Sequence, residues 1–217
     1  MFVGHLSLAF AGKTISRDTP LAWLMAAACL VDLLWPLFLL AGVERVRIDP
    51  GNTAFTPLAF DYYPWTHSLL TGFGWGAALA LAARRAGVSR TGAWLAGALV
   101  VSHWGLDFAS HRADLPLWPW GADVYGLDLW RSIPATLVVE GAMWFAALAL
   151  FLRVRRPRGV NGWLALGSFV LLCTVIWASG PFSPPPPSER ALALVALIGG
   201  WTIVPWTWWI DRTSAFR

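Results

Sequence analysis

Apolar residues run along this chain in long blocks, without the alternation of a half-buried strand or the one-sided stripe of a soluble helix. A helix needs about 20 apolar residues to cross the hydrocarbon core of a bilayer. Six blocks come close to that length, at residues 20–42, 65–83, 91–109, 133–152, 162–179 and 191–210. Residues 1–15 are apolar but short, which predicts a half-length helix tucked against the bundle. The expected fold is all-α: a polytopic membrane helix bundle of about six transmembrane helices plus a short N-terminal helix, in a single integral membrane domain over 1–217. Residues 44–64 and 111–130 are rich in Pro, Gly and aromatics, so packed caps are expected there. "SGPFSPPPPSER" reads as a stiff polyproline turn. No internal repeat is evident.

Composition agrees with this pattern. Hydrophobic residues make up 57% of the 217 and charged residues 13%, against roughly 25% charged in soluble domains. The 16 Trp suit membrane–water interfaces, where the ring is buried and the N–H stays wet. A net charge of +4 raises nucleic acid as a partner, but the basic residues sit in short loops between apolar blocks and form no phosphate-binding face. They report orientation instead. Lys13, Arg17, Arg84, Arg85, Arg90, Arg153, Arg155, Arg156, Arg158, Arg212 and Arg217 fall on one side; Arg45, Arg47, Arg112, Arg131 and Arg190 fall on the other. The first side is expected in the cytoplasm, with both termini, except that the short first helix points its start into the membrane; the chain is expected in a bacterial inner membrane. No basic leader precedes Gly4 and His5. Cys29 and Cys173 lie inside apolar blocks and form no CxxC pair, so they read as small buried residues.

Ionisable groups at membrane depth cost on the order of 2.5–3.5 kcal/mol each. This chain holds His5, Asp32, His67, His103, Asp107 and Glu140 there, with no Lys or Arg at that level to neutralise the acids. His5 is 12 residues from Arg17, His103 is 13 from Arg90, His67 is 17 from Arg84 and Glu140 is 13 from Arg153. At ~1.5 Å per residue these groups fall roughly 18–26 Å above the inner face, so different helices deliver polar groups to one level. In "SHWGLDFASH", His103, Asp107 and His111 are spaced four apart and share a helix face. Imidazoles plus carboxylates are the ligands of a catalytic zinc with an open position. The expected ligands of a divalent metal, zinc first, are His5, Asp32, His67, His103 and Asp107.

These residues stand in motifs: "MFVGHLSLAFAG", "AACLVDLLWP", "YPWTHSLL" and "VSHWGLDFASHR". In order and spacing they resemble the bacterial inner-membrane metal-dependent hydrolases of the YdjM-like type, over a motif-bearing part of 1–112, with the spans at 133–210 outside it. Val31, Leu34, Tyr62 and Tyr63 stand where that family often has other residues. The order is also distantly similar to zinc-dependent phospholipase C. That likeness implies one zinc held by Asp32, His67, His103 and Asp107, with Asp107 reaching a second ion at His5 and the start of the chain.

The expected function is a membrane-embedded metal-dependent hydrolase acting on a phosphoester or other lipid-linked substrate near the outer leaflet. Asp61 or Glu140 would be its general base. Arg112 or Arg131 would meet a phosphate, with His111 beside them at the outer boundary. The alternatives are a proton- or cation-coupled transporter and a non-catalytic scaffold with a structural polar or metal cluster. The sequence fixes no oligomeric state. Asp61 also reads as a possible cap of the "DYYPWTHS" turn.

Overall fold

The computed structural model describes residues 1–216. Among them the chain runs α1 (Val3–Ile15), α2 (Leu21–Ala28), α3 (Leu30–Leu40), β1 (Arg45–Ile48), β2 (Leu58–Tyr62), α4 (Pro64–His67), α5 (Leu69–Arg85) and α6 (Arg90–Ser110). It continues through β3 (Leu115–Pro116), β4 (Val124–Tyr125), α7 (Ile133–Val154), β5 (Arg155–Pro157), α8 (Gly159–Ser179), α9 (Glu189–Arg212) and β6 (Ser214–Phe216). The frame is all-α; the strands are three short antiparallel pairs, β1–β2, β3–β4 and β5–β6. All six expected blocks are helical. Four of the long helices start at a serine whose hydroxyl accepts an amide of the first turn: Ser68, Ser89, Ser132 and Ser188.

Three helices, α7, α8 with its 3-10 extension, and α9, are long and apolar enough to cross a membrane; α2 and α3, bent by 54° at their junction, pass the same test only as a pair and add a fourth span if the pair crosses as one. α5 stops at 17 residues, and α6, though 21 residues long, is diluted by glycine and by its own His103 and Asp107. Large apolar side chains on α8 and α9 point outward, among them Trp163, Leu164, Leu171, Val175, Val195 and Ile198. An exposed belt of this kind is the mark of a membrane-facing surface.

The first helix differs from the expectation. It lies in the middle of the bundle, packed against α2, α6, α7 and α8, with Val3, His5, Leu6, Ala9, Phe10 and Lys13 all buried. A helix apolar nearly all round belongs inside. Its far end is tied down by Lys13, whose ammonium donates to the carbonyls of Arg17 (2.9 Å) and Thr19 (2.6 Å) and lies 3.2 Å from Asp211. α5 and α6 pack backbone to backbone: a Cβ on Gly76 would sit 2.8 Å from the Gly97 carbonyl oxygen. That close approach, typical of small residues between membrane helices, fixes where α6 carries His103 and Asp107.

Candidate metal centre

The bend between α2 and α3 builds the first part of the site. At Cys29 the backbone leaves the helix, so the last carbonyls of α2 lose the amides of the next turn. The Nδ1 of His103 lies 2.8 Å from one of them, that of Ala28. A carbonyl can only accept, so Nδ1 carries the proton, and a neutral His103 presents a bare lone pair at Nε2. The restart of the helix puts Asp32 in the first turn of α3, 3.6 Å from that nitrogen.

His67 is set by a longer chain of contacts. The buried carboxylate of Glu44 accepts from the Thr66 amide at 2.8 Å and from its hydroxyl at 2.7 Å. The hydroxyl has then given its only proton. His67 Nδ1, 2.7 Å from Thr66 Oγ1, then donates to it, and a neutral His67 presents a bare lone pair at Nε2 as well.

Four donors from three helices, Asp32 on α3, His67 on α4, and His103 and Asp107 on α6, now face one another. His103 Nε2 is 3.1 Å from Asp107 Oδ2 and 3.6 Å from Asp32. His67 Nε2 is 3.4 Å from Asp32 and 3.9 Å from Asp107 Oδ2. Donors held ~2 Å from one zinc in a tetrahedron stand about 3.3 Å apart. Buried Nε2 of His103 makes no hydrogen bond despite this proximity. Lone pairs aimed at carboxylates repel unless a positive charge lies between them, so the donor set fits a divalent cation.

Asp107 also has a second face. Its Oδ1 lies 2.5 Å from the Met1 amino nitrogen, 3.0 Å from His5 Nε2 and 3.8 Å from His111 Nε2. The His5 ring stacks on that of His103 with centroids 3.5 Å apart. All five expected metal residues thus come together, in two overlapping groups: His5, His103 and Asp107, and Asp32, His67 and His103, each with donors within 4.8 Å of one another.

A pocket of about 150 Å³ opens onto this cluster, walled by Trp35, Phe60 and Trp130. Asp32, with its side chain 47% exposed, is the accessible carboxylate; the imidazoles of His67 and His103 are covered.

The remaining candidates divide. His111 lines the pocket. Its Nδ1 is 3.0 Å from Asp114, which also accepts from the Tyr63 hydroxyl at 2.7 Å. Burial pushes the Tyr63 phenol well above its ordinary pKa, and the neighbouring Asp114 adds to the shift, so Tyr63 remains a donor. Asp61 is not at the cluster and caps no helix: Arg47 grips it from two nitrogens, at 2.7 and 3.1 Å, on the exposed hairpin. Glu140 is fully buried but meets the start of α1, accepting from the Gly4 amide at 3.3 Å, a place where a helix N-terminus favours an anion. Neither acid lines the pocket. Arg112 approaches Asp114 at 3.5 Å and Arg131 pairs with Asp128 at 2.8 Å; neither lines it either. Glu44, Thr66, Asp114 and Tyr63 position the imidazoles and went unread in the sequence, where only the "THS" spacing hinted at Thr66. No known protein family, characterised protein or solved structure matches this chain.

Proposed function

We propose that this chain is a membrane-embedded hydrolase dependent on a divalent metal, zinc first, acting on a phosphoester of a lipid-linked substrate. The observation that carries this is the ring of Asp32, His67, His103 and Asp107, with two imidazole lone pairs locked toward two carboxylates at 3.1–3.9 Å. Both imidazoles are backed through Nδ1 by a carbonyl or a hydroxyl–carboxylate pair, the outer support that metal-binding histidines use. A divalent ion held by these four residues would supply a polarised phosphoryl oxygen and a water nucleophilic at neutral pH. His5, on the other side of Asp107, is available to a second ion.

The general base in this reading is neither Asp61 nor Glu140. It is His111, which lines the pocket with Nε2 3.8 Å from Asp107 Oδ1, beyond hydrogen-bond distance, and Nδ1 held by Asp114. Such a pair keeps one tautomer and stabilises the imidazolium. His111 Nε2 takes a proton from the attacking water and returns it to the leaving oxygen. Six spans in an inner membrane, with the Arg-rich loops and the C-terminus in the cytoplasm, belong to the same reading; on it the cluster, and Met1 beside Asp107, lie toward the outer leaflet, where a lipid-linked substrate arrives sideways.

The test is hydrolysis of a lipid-linked or model phosphoester by protein in nanodiscs, with and without chelator. Chelation and Asp107→Asn should each abolish it. Turnover that survives both would defeat the hydrolase reading.

A further inference from the structure

A second cavity lies beside the pocket. It has a volume of about 400 Å³ and runs between α1, α3, α8 and α9, within the range of small-molecule sites, ~300–1,000 Å³. Asp32, Phe2 and Trp35 line both spaces. From Asp32 the cavity passes Cys173, Ile203 and Trp206; its lining is otherwise apolar apart from Thr202, whose hydroxyl donates to the Ile198 carbonyl at 2.6 Å. Its outer edge is formed by Leu172, Ile176 and Val195, which are exposed on the belt of α8 and α9.

We infer that this cavity holds one hydrocarbon chain of a membrane lipid, with the lipid's polar head at the His and Asp cluster. Three features commit it to that occupant. Its mouth opens among exposed apolar residues on two helices apolar enough to span a bilayer, so hydrocarbon is the medium outside it. Its walls give water almost no partners. Its inner end is Asp32, the accessible carboxylate of the cluster, so a molecule that fills both spaces must be apolar at one end and polar at the other. At Gly199 a Cβ would meet nothing within 4 Å, although glycine is the poorest non-proline former of a helix interior. Gly199 lines the cavity, so a bulky side chain there competes with an occupant. The head-group half of the inference rests on the metal-centre reading; the chain half does not.

Protein in phosphatidylglycerol nanodiscs, doped with phosphatidylglycerol carrying a diazirine in its acyl chain, tests this by photolysis and mass-spectrometric mapping. Phe169 and Cys173 line the cavity and are buried, so a lipid outside the bundle does not reach them. Leu171 and Val175 face outward and lie outside the cavity lining, so any bilayer lipid labels them. Adducts on Phe169 or Cys173 are expected, falling at least tenfold in Gly199→Phe while those on Leu171 and Val175 persist. Ala196→Leu, about one turn earlier, repeats the test should Gly199→Phe fail to fold. Adducts confined to Leu171 and Val175 overturn the chain site, as do Phe169 or Cys173 adducts that both variants leave unchanged. Metal content of the same preparations separates the two readings. Inner adducts without metal keep the chain site and remove the hydrolase; metal without inner adducts does the reverse.

Discussion

The Nδ1 of His103 on α6 lies 2.8 Å from the carbonyl oxygen of Ala28, the last residue of α2 before the bend. In an unbroken helix that oxygen would belong to the next turn. The bend therefore does two things for one site: it frees the acceptor that fixes the His103 tautomer, and it sets Asp32 in the first turn of α3 facing the nitrogen so exposed.

His67 depends on Thr66 in the same way, through the contact with Glu44 behind it. Thr66→Val keeps the side chain's shape and removes the hydroxyl. Metal affinity should fall roughly 10–100-fold, the usual effect of losing such a support, and Thr66→Ser should restore most of it. Competition titration with a metal-sensitive dye measures this; an unchanged affinity in Thr66→Val would mean that His67 is not a ligand.

His111 is assigned to proton transfer, not to holding metal. His111→Gln should retain full metal content while turnover drops by about 10²–10⁴, and Asp114→Asn should show a smaller loss of the same kind. Loss of metal in His111→Gln would move the residue into the ligand set and leave the base unassigned.

The α5–α6 contact makes a prediction about stability alone. At Gly76 the obstacle to a side chain is backbone, the Gly97 carbonyl oxygen, which cannot swing aside. Gly76→Val should destabilise the protein by about 1–3 kcal/mol, seen as a lower midpoint of thermal unfolding in detergent. A midpoint equal to that of the unmodified protein would show that the two helices can separate freely.

Orientation is open to reporter fusion. The turn at Gly87, between α5 and α6, and the segment at Arg158, before α8, both lie at the Arg-rich end. Fusions after each should report the cytoplasm. An external signal at either position contradicts the topology and, with it, the outer-leaflet placement of the cluster.

Much of the site was legible in the sequence because depth and periodicity are local quantities. Counting from the basic loops put His5, His67 and His103 at one level, and the four-residue step put Asp107 under His103. What holds these side chains was not legible. Glu44 acts from a loop 22 residues before Thr66, and no spacing rule links them. The bend at Cys29 carries no proline or glycine signal and shows only in three dimensions. Asp61 looked free because its partner Arg47 lies across a hairpin that a purely helical reading does not contain. The central place of α1 was missed because a short apolar helix reads equally well as a lid or as a core; its contacts with α2, α6, α7 and α8 decide that. Glu140 shared the depth of the cluster, but depth says nothing about which way a helix is turned, and α7 turns it toward the start of α1.

Elemental analysis of the purified, unmodified protein beside Asp107→Asn bears most directly on the metal centre. Asparagine keeps the volume but removes the charge that two imidazole lone pairs and a divalent ion require. The expected result is a stoichiometric divalent metal, zinc first, in the unmodified protein, and its loss from a folded Asp107→Asn, with Leu106→Ala unaffected. A protein that folds and carries no divalent metal, or an Asp107→Asn variant that keeps its full complement, would contradict it.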